Sequence, residues 1–428
     1  MILGGGFGGL VTALYVAKHS PDSDVVLVDL NPTHVYTPWL YEVATGFLID
    51  AKKSKIAALE KSAGFLFFDL IRWSGAKHLR YRHAAVIGCD LKTKHVLLEG
   101  GKTLSYDKLV IALGSETEYY GIAGVKEHGF DIKTLANAVR IRRQLEKLFK
   151  GSRAKGERMR TIMIAGAGAT GTECAAELAN FLKRCERSGI CRPGTMRVIL
   201  LDAGPSILPQ FTSLIKKWAH HRLGDLGVEI FIDTVVTRVE QGKVIVEPRQ
   251  MSEDEICLIE CPFQKKTELD VDLLIWAGGI RPNRVLEQFA LPKDRRGRIK
   301  VTPTMQVEGH PDVFALGDAV SLLNPRTDRL VPPLANATVG EAKVVAQNLI
   351  RSFSSRPLTM LTFPKTWPSI IPLGGKFAIV HIGGITFKGR FAIVLRRLVD
   401  LRYFMAIMPF SRARQIWRQG TTLFANND

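Results

Sequence analysis

Two glycine-rich runs, Gly4-Gly5-Gly6-Phe7-Gly8-Gly9 and Gly166-Ala167-Gly168-Ala169-Thr170-Gly171, stand where a short apolar run gives way to helical spacing. In each, the first glycine permits a tight turn, the second lets backbone N–H groups approach a pyrophosphate, and the third lets a helix pack closely on a strand. The helix that follows then turns its N-terminus towards the negative charge. A single run of this kind is weak evidence, because a glycine-rich turn can be only a turn. Each run here is followed by an apolar strand that ends in an acid, residues 25–28 before Asp29 and residues 198–201 before Asp202. A carboxylate there accepts hydrogen bonds from a ribose, so the pair of cradles implies two dinucleotides held at once.

The acids separate the two ligands. Asp202 suits the free 2′-hydroxyl of NADH and repels the 2′-phosphate of NADPH, and Ala203-Gly204-Pro205 follows it with no arginine. NADH is therefore the expected ligand of the second cradle. Val313-Phe314-Ala315-Leu316-Gly317-Asp318 is an apolar strand ending in Gly-Asp, which resembles the second FAD signature of two-dinucleotide-domain flavoproteins. By that resemblance Asp318 reaches the ribityl and pyrophosphate part of FAD; an acid that caps the next helix is the plainer alternative, and one residue can do both. Glu173, just beyond Gly171, is open to two readings as well: a first-turn acid stabilised by the helix dipole, or a functional carboxylate.

These residues need particular elements to place them. The chain starts a first doubly wound unit, leaves it near residues 107–114, builds a second to about residues 276–279, and returns for Asp318. Residues 109–113 and 273–276 read as buried crossing strands that end in glycine. Residues 92–98 and 243–246 read as hairpin strands outside the doubly wound cores. Only Met1-Ile2-Leu3 precedes the first cradle, less than a usual strand. The polar stretch 184–194 reads as an insertion, which lengthens the gap from Gly166 to Asp202. The fold class expected is α/β, with two interleaved Rossmann-like dinucleotide-binding domains and a C-terminal α+β segment. The boundaries are residues 1–112 with 281–355 for FAD, 113–280 for NAD, and 356–428 for the terminal segment.

At 428 residues the chain can bury large cores without covalent staples. Its six cysteines match no zinc spacing; Cys89 and Cys174 read as small buried residues, and the Cys185/Cys191 and Cys257/Cys261 pairs fit no metal template. No metal is expected. No secretory signal opens the sequence, and the apolar stretch 369–387 is broken by Pro372, Lys376, His381 and glycines. Any membrane association is then peripheral.

The net charge is +18, and from Lys365 onward the chain carries ten Lys/Arg against Asp400 and Asp428. No helix-turn-helix, zinc-finger or RNP pattern directs that charge to nucleic acid. Apolar residues interleave with it instead: in a helix over 391–408, Phe391, Val394, Leu395, Leu398, Leu401, Met405 and Met408 share a face, with Arg402 on it and Phe404 and Ile407 outside it. A third helix over 412–419 carries Trp417, a residue suited to a headgroup layer. An anionic membrane surface is the expected partner; docking on the protein's own sheet or in a homodimer is the alternative. A second basic run, 140–160, reads as a solvated helix and linker.

Both cradles, Asp318, the segments 106–117 and 269–283, and residues 37–46 (TPWLYEVATG) together resemble the type II NADH dehydrogenases, single-chain NADH:quinone oxidoreductases. The resemblance covers nearly the whole chain. It implies hydride transfer from NADH to flavin N5, two-electron reduction of a membrane quinone without proton pumping, and a peripheral place in a respiratory chain on the cytoplasmic side of the membrane. It implies that Gly4, Gly6, Phe7, Gly8, Gly9, Asp29, Ala112, Gly114, Gly317, Asp318, Leu334 and Ala335 hold FAD. Gly166, Gly168, Thr170, Gly171, Asp202, Ala277 and Gly278 would hold NADH. Glu173 matches the acid of the family's TGxE motif, close to both rings, where it would orient NADH or handle protons. Thr37, Pro38 and Glu42 would lie near the flavin.

One departure bears on the acceptor. The family's AQxAxQxG beside the quinone reads here Ala335-Asn336-Ala337-Thr338-Val339-Gly340-Glu341, so Asn336 and Gly340 replace two glutamines. The quinone candidates are Pro38, Glu42, Asn336, Val339, Gly340 and Lys376, the last a surface lysine or a cation offered to a quinone oxygen. Disulfide reductases need a CxxxxC pair, and residues 37–46 contain no cysteine. Sulfide:quinone oxidoreductases need cysteines beyond Cys261, and none occurs. A soluble NADH:ferredoxin-type reductase, and an NADH-sensing flavoprotein of apoptosis-inducing-factor type, remain as alternatives.

Overall fold

The computed structural model describes residues 1–45, 63–151, 158–249 and 263–425; Gly46, Cys257 and Cys261 lie outside the described residues. Two parallel sheets organise the chain. The first has the spatial order Gln306–Val307, His310–Ala315, Leu109–Ile111, Ile2–Leu3, Val25–Asp29, Leu79–His83, with Gln306–Val307 antiparallel to its neighbour. Its central strand has two residues, yet both are buried and paired on each side, to Leu27 and Val28 and to Val110 and Ile111. Two further bonds extend that pairing, from the Met1 amino group to the Lys108 carbonyl (2.8 Å) and from Val110 N–H to the Met1 carbonyl (2.9 Å).

The second sheet runs Gly129–Asp131, Leu273–Trp276, Arg160–Ala165, Met196–Leu201, Val228–Phe231, all parallel. Its inner strands are apolar on both faces because helices cover one and a small antiparallel sheet covers the other, with Val236, Val239, Val244 and Val246 packed on Met163, Ile199 and Leu274. Between the sheets, Ser115–Thr117 pairs antiparallel with Ile280–Pro282, so the chain leaves the first sheet and returns to it side by side. The hairpin strands expected outside the cores are there, as His95–Leu98 and Lys243–Pro248 in two small antiparallel sheets.

One surface reading needs correction. The helix Leu135–Gly151 in the basic run buries Ile141, Leu145, Phe149 and Arg142, so it is an amphipathic packed helix and not a solvated one. In the stretch 184–194 the helix Ala169–Arg187 ends and gives way to exposed turns, with Cys185 and Cys191 buried beneath them.

The terminal segment holds three antiparallel strands, Ser369–Pro372, Ala378–Ile382 and Ile385–Gly389, one more than the expected hairpin, and helices Arg390–Ile407 and Phe410–Ala425. The first of these helices lies with its apolar stripe outward. Phe391, Val394, Leu398 and Met405 are 67, 51, 48 and 45% exposed, while Ala392, Arg396, Asp400, Tyr403, Phe404 and Ile407 form the buried face. Periodicity alone put Phe404 and Ile407 off the main face; they are the ones that anchor the helix. Met408, at the end of the stripe, is also buried. Trp417 is turned inward too, half-buried with its Nε1 donating to the Arg397 carbonyl at 2.7 Å, which corrects its reading as a headgroup residue. Gly420 permits the last helix to close on Trp39, whose Cη2 would lie 2.4 Å from a Cβ there.

Candidate functional site

The two cradles share one geometry. A Cβ on Gly9 would lie 1.8 Å from the Gly4 carbonyl oxygen, and one on Gly171 would lie 1.8 Å from that of Gly166. Gly4 (φ +96°) and Gly166 (φ +110°) press on the carbonyls of Ala112 and Ala277, whose oxygens would each lie 2.3 Å from an added Cβ, so glycine is required at all four places. Gly6 and Gly168 differ: a Cβ there would meet nothing within 4 Å. They are the N-caps of helices Phe7–His19 and Ala169–Arg187, and neither helix start receives a side-chain cap. Each cradle is therefore an open helix N-terminus with free backbone donors, which fits a pyrophosphate.

The acids hold the cradles in shape. Asp29 accepts from Gly5 N–H at 2.6 Å and Asn31 N–H at 2.7 Å; Asp202 accepts from Ala167 N–H at 2.5 Å and Gly204 N–H at 2.6 Å. Gly8 sits against Leu316 and Thr338, so the Gly-Asp strand and the helix Ala335–Phe353 both close on the first cradle. There Leu334 is the N-cap, Ala335 opens the helix, and the Leu334 carbonyl accepts from Thr338 N–H at 3.0 Å. Gly317 (φ +75°) donates its N–H to Glu341 at 2.7 Å, and Asp318 accepts from Ser115 Oγ at 2.5 Å, so its carboxylate is held towards the first cradle's neighbours rather than capping a helix. Gly114 (φ +64°) accepts from Asn283 N–H at 3.2 Å, at the crossing between sheets. Gly278 lies on the Trp276 ring, and Thr170 is exposed at the start of its helix.

Glu173 and Glu42 are the acids whose chemistry the fold alters most. Burial pushes Glu173 up to about 8 against the pull of Arg396. Burial likewise raises Glu42 to about 8, opposed by Arg397 and Arg396 and reinforced by Glu177 and Asp400. Both residues keep partial surface exposure although burial dominates their chemistry. The Oε2 atom of Glu42 is buried with no hydrogen-bond partner, while Tyr41 OH lies 3.4 Å from its Oε1. Two carboxyls whose protonated form burial favours, both acted on by one shared cation, can donate or take a proton near neutral pH.

The cation is Arg396, which sequence reading passed over. It pairs with Asp400 one turn on and donates to the Pro38 carbonyl at 3.2 Å. Asp400 also accepts from Tyr36 OH at 2.6 Å and Trp39 Nε1 at 3.1 Å. The C-terminal helix thus reaches the segment around Pro38 and Glu42 through a closed set of buried polar contacts. Asp400 is one of two acids in a segment of ten cations, and its i,i+4 spacing to Arg396 was the signal available.

The remaining acceptor candidates sit on other elements, Asn336, Val339 and Gly340 on the helix Ala335–Phe353 and Lys376 in the turn between Ser369–Pro372 and Ala378–Ile382. Asn336 is exposed and spends an amide N–H on the Pro368 carbonyl at 2.8 Å, so it is partly a structural tie. Gly340 has open space at its Cβ position, and Val339 beside it is half-buried. Lys376 is exposed, next to a turn in which Gly374 presses on the Ala176 carbonyl and Gly375 N–H reaches Glu177 at 3.3 Å. Arg222 fixes that turn by donating to the Leu373 carbonyl at 3.0 Å and the Gly374 carbonyl at 2.9 Å. Lys133 and Glu341, both at the Gly-Asp strand, were also missed, because nothing local in the sequence marks them.

Comparison with known proteins agrees with this architecture. The model of the pyridine nucleotide-disulphide oxidoreductase family matches residues 1–342. The demethylphylloquinone reductase NdbB of Synechocystis is 30% identical over 94% of this chain and 91% of its own length. The type II NADH:quinone oxidoreductase NdhA of Mycobacterium tuberculosis is 27% identical over 94% of this chain and 83% of its own. Among solved structures, NDH2 from Plasmodium falciparum in complex with NADH superimposes with a TM-score of 0.80, at 17% identity over 99% of this chain and 98% of that one, which shows the fold. With two matched cradles, a Gly-Asp strand closing on the first and these relatives along nearly its whole length, the chain belongs to the pyridine nucleotide-disulphide oxidoreductase family, in its type II NADH:quinone oxidoreductase branch.

Proposed function

We propose that the protein is an FAD-dependent NADH:quinone oxidoreductase that catalyses NADH + H⁺ + quinone → NAD⁺ + quinol without pumping protons. The observation that carries this reading is the duplicated cradle: two helix N-termini of one geometry, with Glu173 and Glu42 buried beside them. FAD, when bound, supplies the two-electron relay between NADH and quinone. The chain's residues supply the rest. The open N-terminus at Gly6 receives the flavin pyrophosphate, and that at Gly168 receives the NADH pyrophosphate. Asp202 lies where it accepts from a ribose and repels a 2′-phosphate, so NADH is the donor. Burial favours the protonated form of Glu173 and of Glu42, so each is suited to carry an exchangeable proton. Of the quinone candidates, the arrangement favours Pro38 and Glu42 over Asn336, Val339, Gly340 and Lys376.

The division of labour follows the chain order: residues 1–112 and 281–355 for FAD, 113–280 for NADH, and 356–428 for the membrane. The outward stripe of Phe391, Val394, Leu398 and Met405, with exposed Arg390 and Arg402 on the same helix and exposed Arg412 and Arg414 on the next, fits an anionic lipid surface better than a homodimer or a soluble ferredoxin-type carrier. Basic residues favour the negatively charged cytoplasmic leaflet, and among the described residues no helix is long and apolar enough to cross a membrane.

Stopped-flow mixing tests the chemistry: NADH should bleach the flavin faster than NADPH, and a quinone should restore its colour. A purified native protein with no bound flavin would sink the reading. An NADH-bleached flavin that no quinone reoxidises would favour the NADH-sensing alternative. For the membrane, F391S/V394S/L398S should lower sedimentation with anionic vesicles at least tenfold while the flavin spectrum is kept. Unchanged binding would place the lipid contact elsewhere. Truncation is the wrong test, because the same helix buries Tyr403 and Phe404 in the core.

A further inference from the structure

Arg222 stands on the helix Ser213–Leu226, beside the second sheet, yet its contacts lie in the terminal segment. It donates from Nε to the Leu373 carbonyl at 3.0 Å and from Nη2 to the Gly374 carbonyl at 2.9 Å, and its guanidinium lies 4.9 Å from the centre of the Phe377 ring. All three partners belong to the turn that joins Ser369–Pro372 to Ala378–Ile382, which Leu373 N–H closes on the Phe377 carbonyl at 2.8 Å. Trp218, one helical turn before Arg222, receives Lys388 Nζ over its ring at 4.8 Å, from the third strand of the same small sheet. The helix therefore grips the terminal sheet at two points, each a cation on an aromatic face.

The turn is pressed from its other side as well. Gly374 (φ +74°) has no room for a Cβ, which would lie 2.5 Å from the Ala176 carbonyl oxygen, and Gly375 N–H donates to Glu177 Oε2 at 3.3 Å. The helix it presses on, Ala169–Arg187, carries Glu173 and Glu177 four residues apart and hence on one face. The short helix Leu40–Thr45, which carries Glu42, packs on that same helix. Glu177 is buried, and a buried carboxylate needs donors and positive charge near it. The turn supplies a backbone donor, and Arg222 supplies charge: burial draws its guanidinium below the ordinary arginine value, while Asp225 and Glu177 act in the opposite direction. Glu177 in its turn favours the protonated forms of Glu42 and Tyr41. Influence thus runs from Arg222, through one turn, to the acids of the acceptor side.

We propose that Arg222 is a positioning residue for quinone reduction: it pins the Leu373–Gly375 turn on the helix Ala169–Arg187 and so fixes the Glu177 carboxylate within reach of Glu42. A residue beside the second sheet thereby serves the second half-reaction and not the first. This rests on the quinone oxidoreductase reading above, and the two fail differently. If NADH-bleached wild type is not reoxidised by a quinone, the reading fails; if it is, and Arg222 makes no difference, only this inference does.

The test uses the full-length holoenzyme as wild type, R222M, R222K and F377L. Stopped flow separates the half-reactions: bleaching by NADH, then reoxidation by menadione over a range of concentrations. In R222M the limiting rate of reoxidation should fall at least about tenfold. The half-saturating menadione concentration and the rate of bleaching should stay within about twofold of wild type. R222K keeps a charged donor within reach of the two carbonyls and should recover most of the loss. F377L removes only the ring beneath the guanidinium and should slow reoxidation about threefold; it decides the matter if R222M does not fold. Reoxidation at the wild-type rate in R222M, or in F377L where R222M is unfolded, would overturn the proposal. So would bleaching and reoxidation slowed together, or an R222M defect that R222K leaves unchanged, since each would mark a packing role alone.

Discussion

Tyr403 OH lies 2.9 Å from Nε2 of His34, and the other ring nitrogen of His34, Nδ1, lies 2.9 Å from the Gly5 carbonyl inside the first cradle. A carbonyl only accepts, so Nδ1 carries the proton, and Nε2 of the neutral ring accepts from the tyrosine. Burial pushes the histidine down to about 4, partly offset by the Gly5 contact, which agrees with a neutral ring. The helix Arg390–Ile407 is joined to the first cradle by one uninterrupted hydrogen-bonded path, reinforced by Phe7, whose ring centroid is 4.7 Å from that of Tyr403.

Replacing Tyr403 by Phe leaves Nε2 of a buried histidine without a partner. A loss of about 1–3 kcal/mol in stability is expected, and FAD should leave the protein more easily on dilution because Gly5 is no longer held from behind. Denaturant unfolding and flavin release measure the two effects. Wild-type behaviour in both would mean that the path is incidental.

Glu42 and Glu173 set the pH response. Their folded values of about 8 lie above the ordinary carboxyl value of 4.5, so the folded protein binds more protons than the unfolded chain between those limits. That contribution to stability is complete below about pH 4.5 and falls as the pH rises towards 8. E42Q, which keeps the shape without the charge, should therefore raise the melting temperature at pH 9 by about 1 °C for each kcal/mol regained in a chain of this length. It should do little at pH 5. Melting curves that run parallel for the two proteins across this range would show that Glu42 does not titrate as its burial implies.

The third glycines offer a way to separate the ligands. Gly171→Ala puts a methyl 1.8 Å from the Gly166 carbonyl and should abolish NADH-driven bleaching while the protein remains yellow. Gly9→Ala makes the same collision with Gly4 and should yield a colourless protein. If G171A lost flavin and G9A kept it, the order of the two cradles would be reversed.

Much of this could be read from sequence because it is local. The glycines declare a turn and a close approach within a few residues, and Asp29 and Asp202 follow at the ends of continuous apolar runs. Helical spacing in 391–408 likewise revealed an apolar stripe, but spacing cannot say whether a stripe faces a core or the outside. The Arg396–Asp400 pair decided that, by turning the opposite face inward to meet Tyr36 and Trp39. His34 with Tyr403, and Lys133 with Asp318, were out of reach for the same reason: residues so far apart in sequence meet only once two sheets have been threaded through each other.

The side-by-side crossing of Ser115–Thr117 and Ile280–Pro282 also fixes an order of birth. The strands of the second sheet, Gly129 to Trp276, are all synthesised before His310–Ala315 can complete the first. Domains generally fold as units as the chain emerges. The part of the molecule begun first is therefore finished last, and it waits, half built, while its neighbour matures. A nascent chain stalled once Pro282 has emerged should already bind NADH and should not retain FAD; capture of FAD by such a chain would show that the first sheet needs none of its later strands.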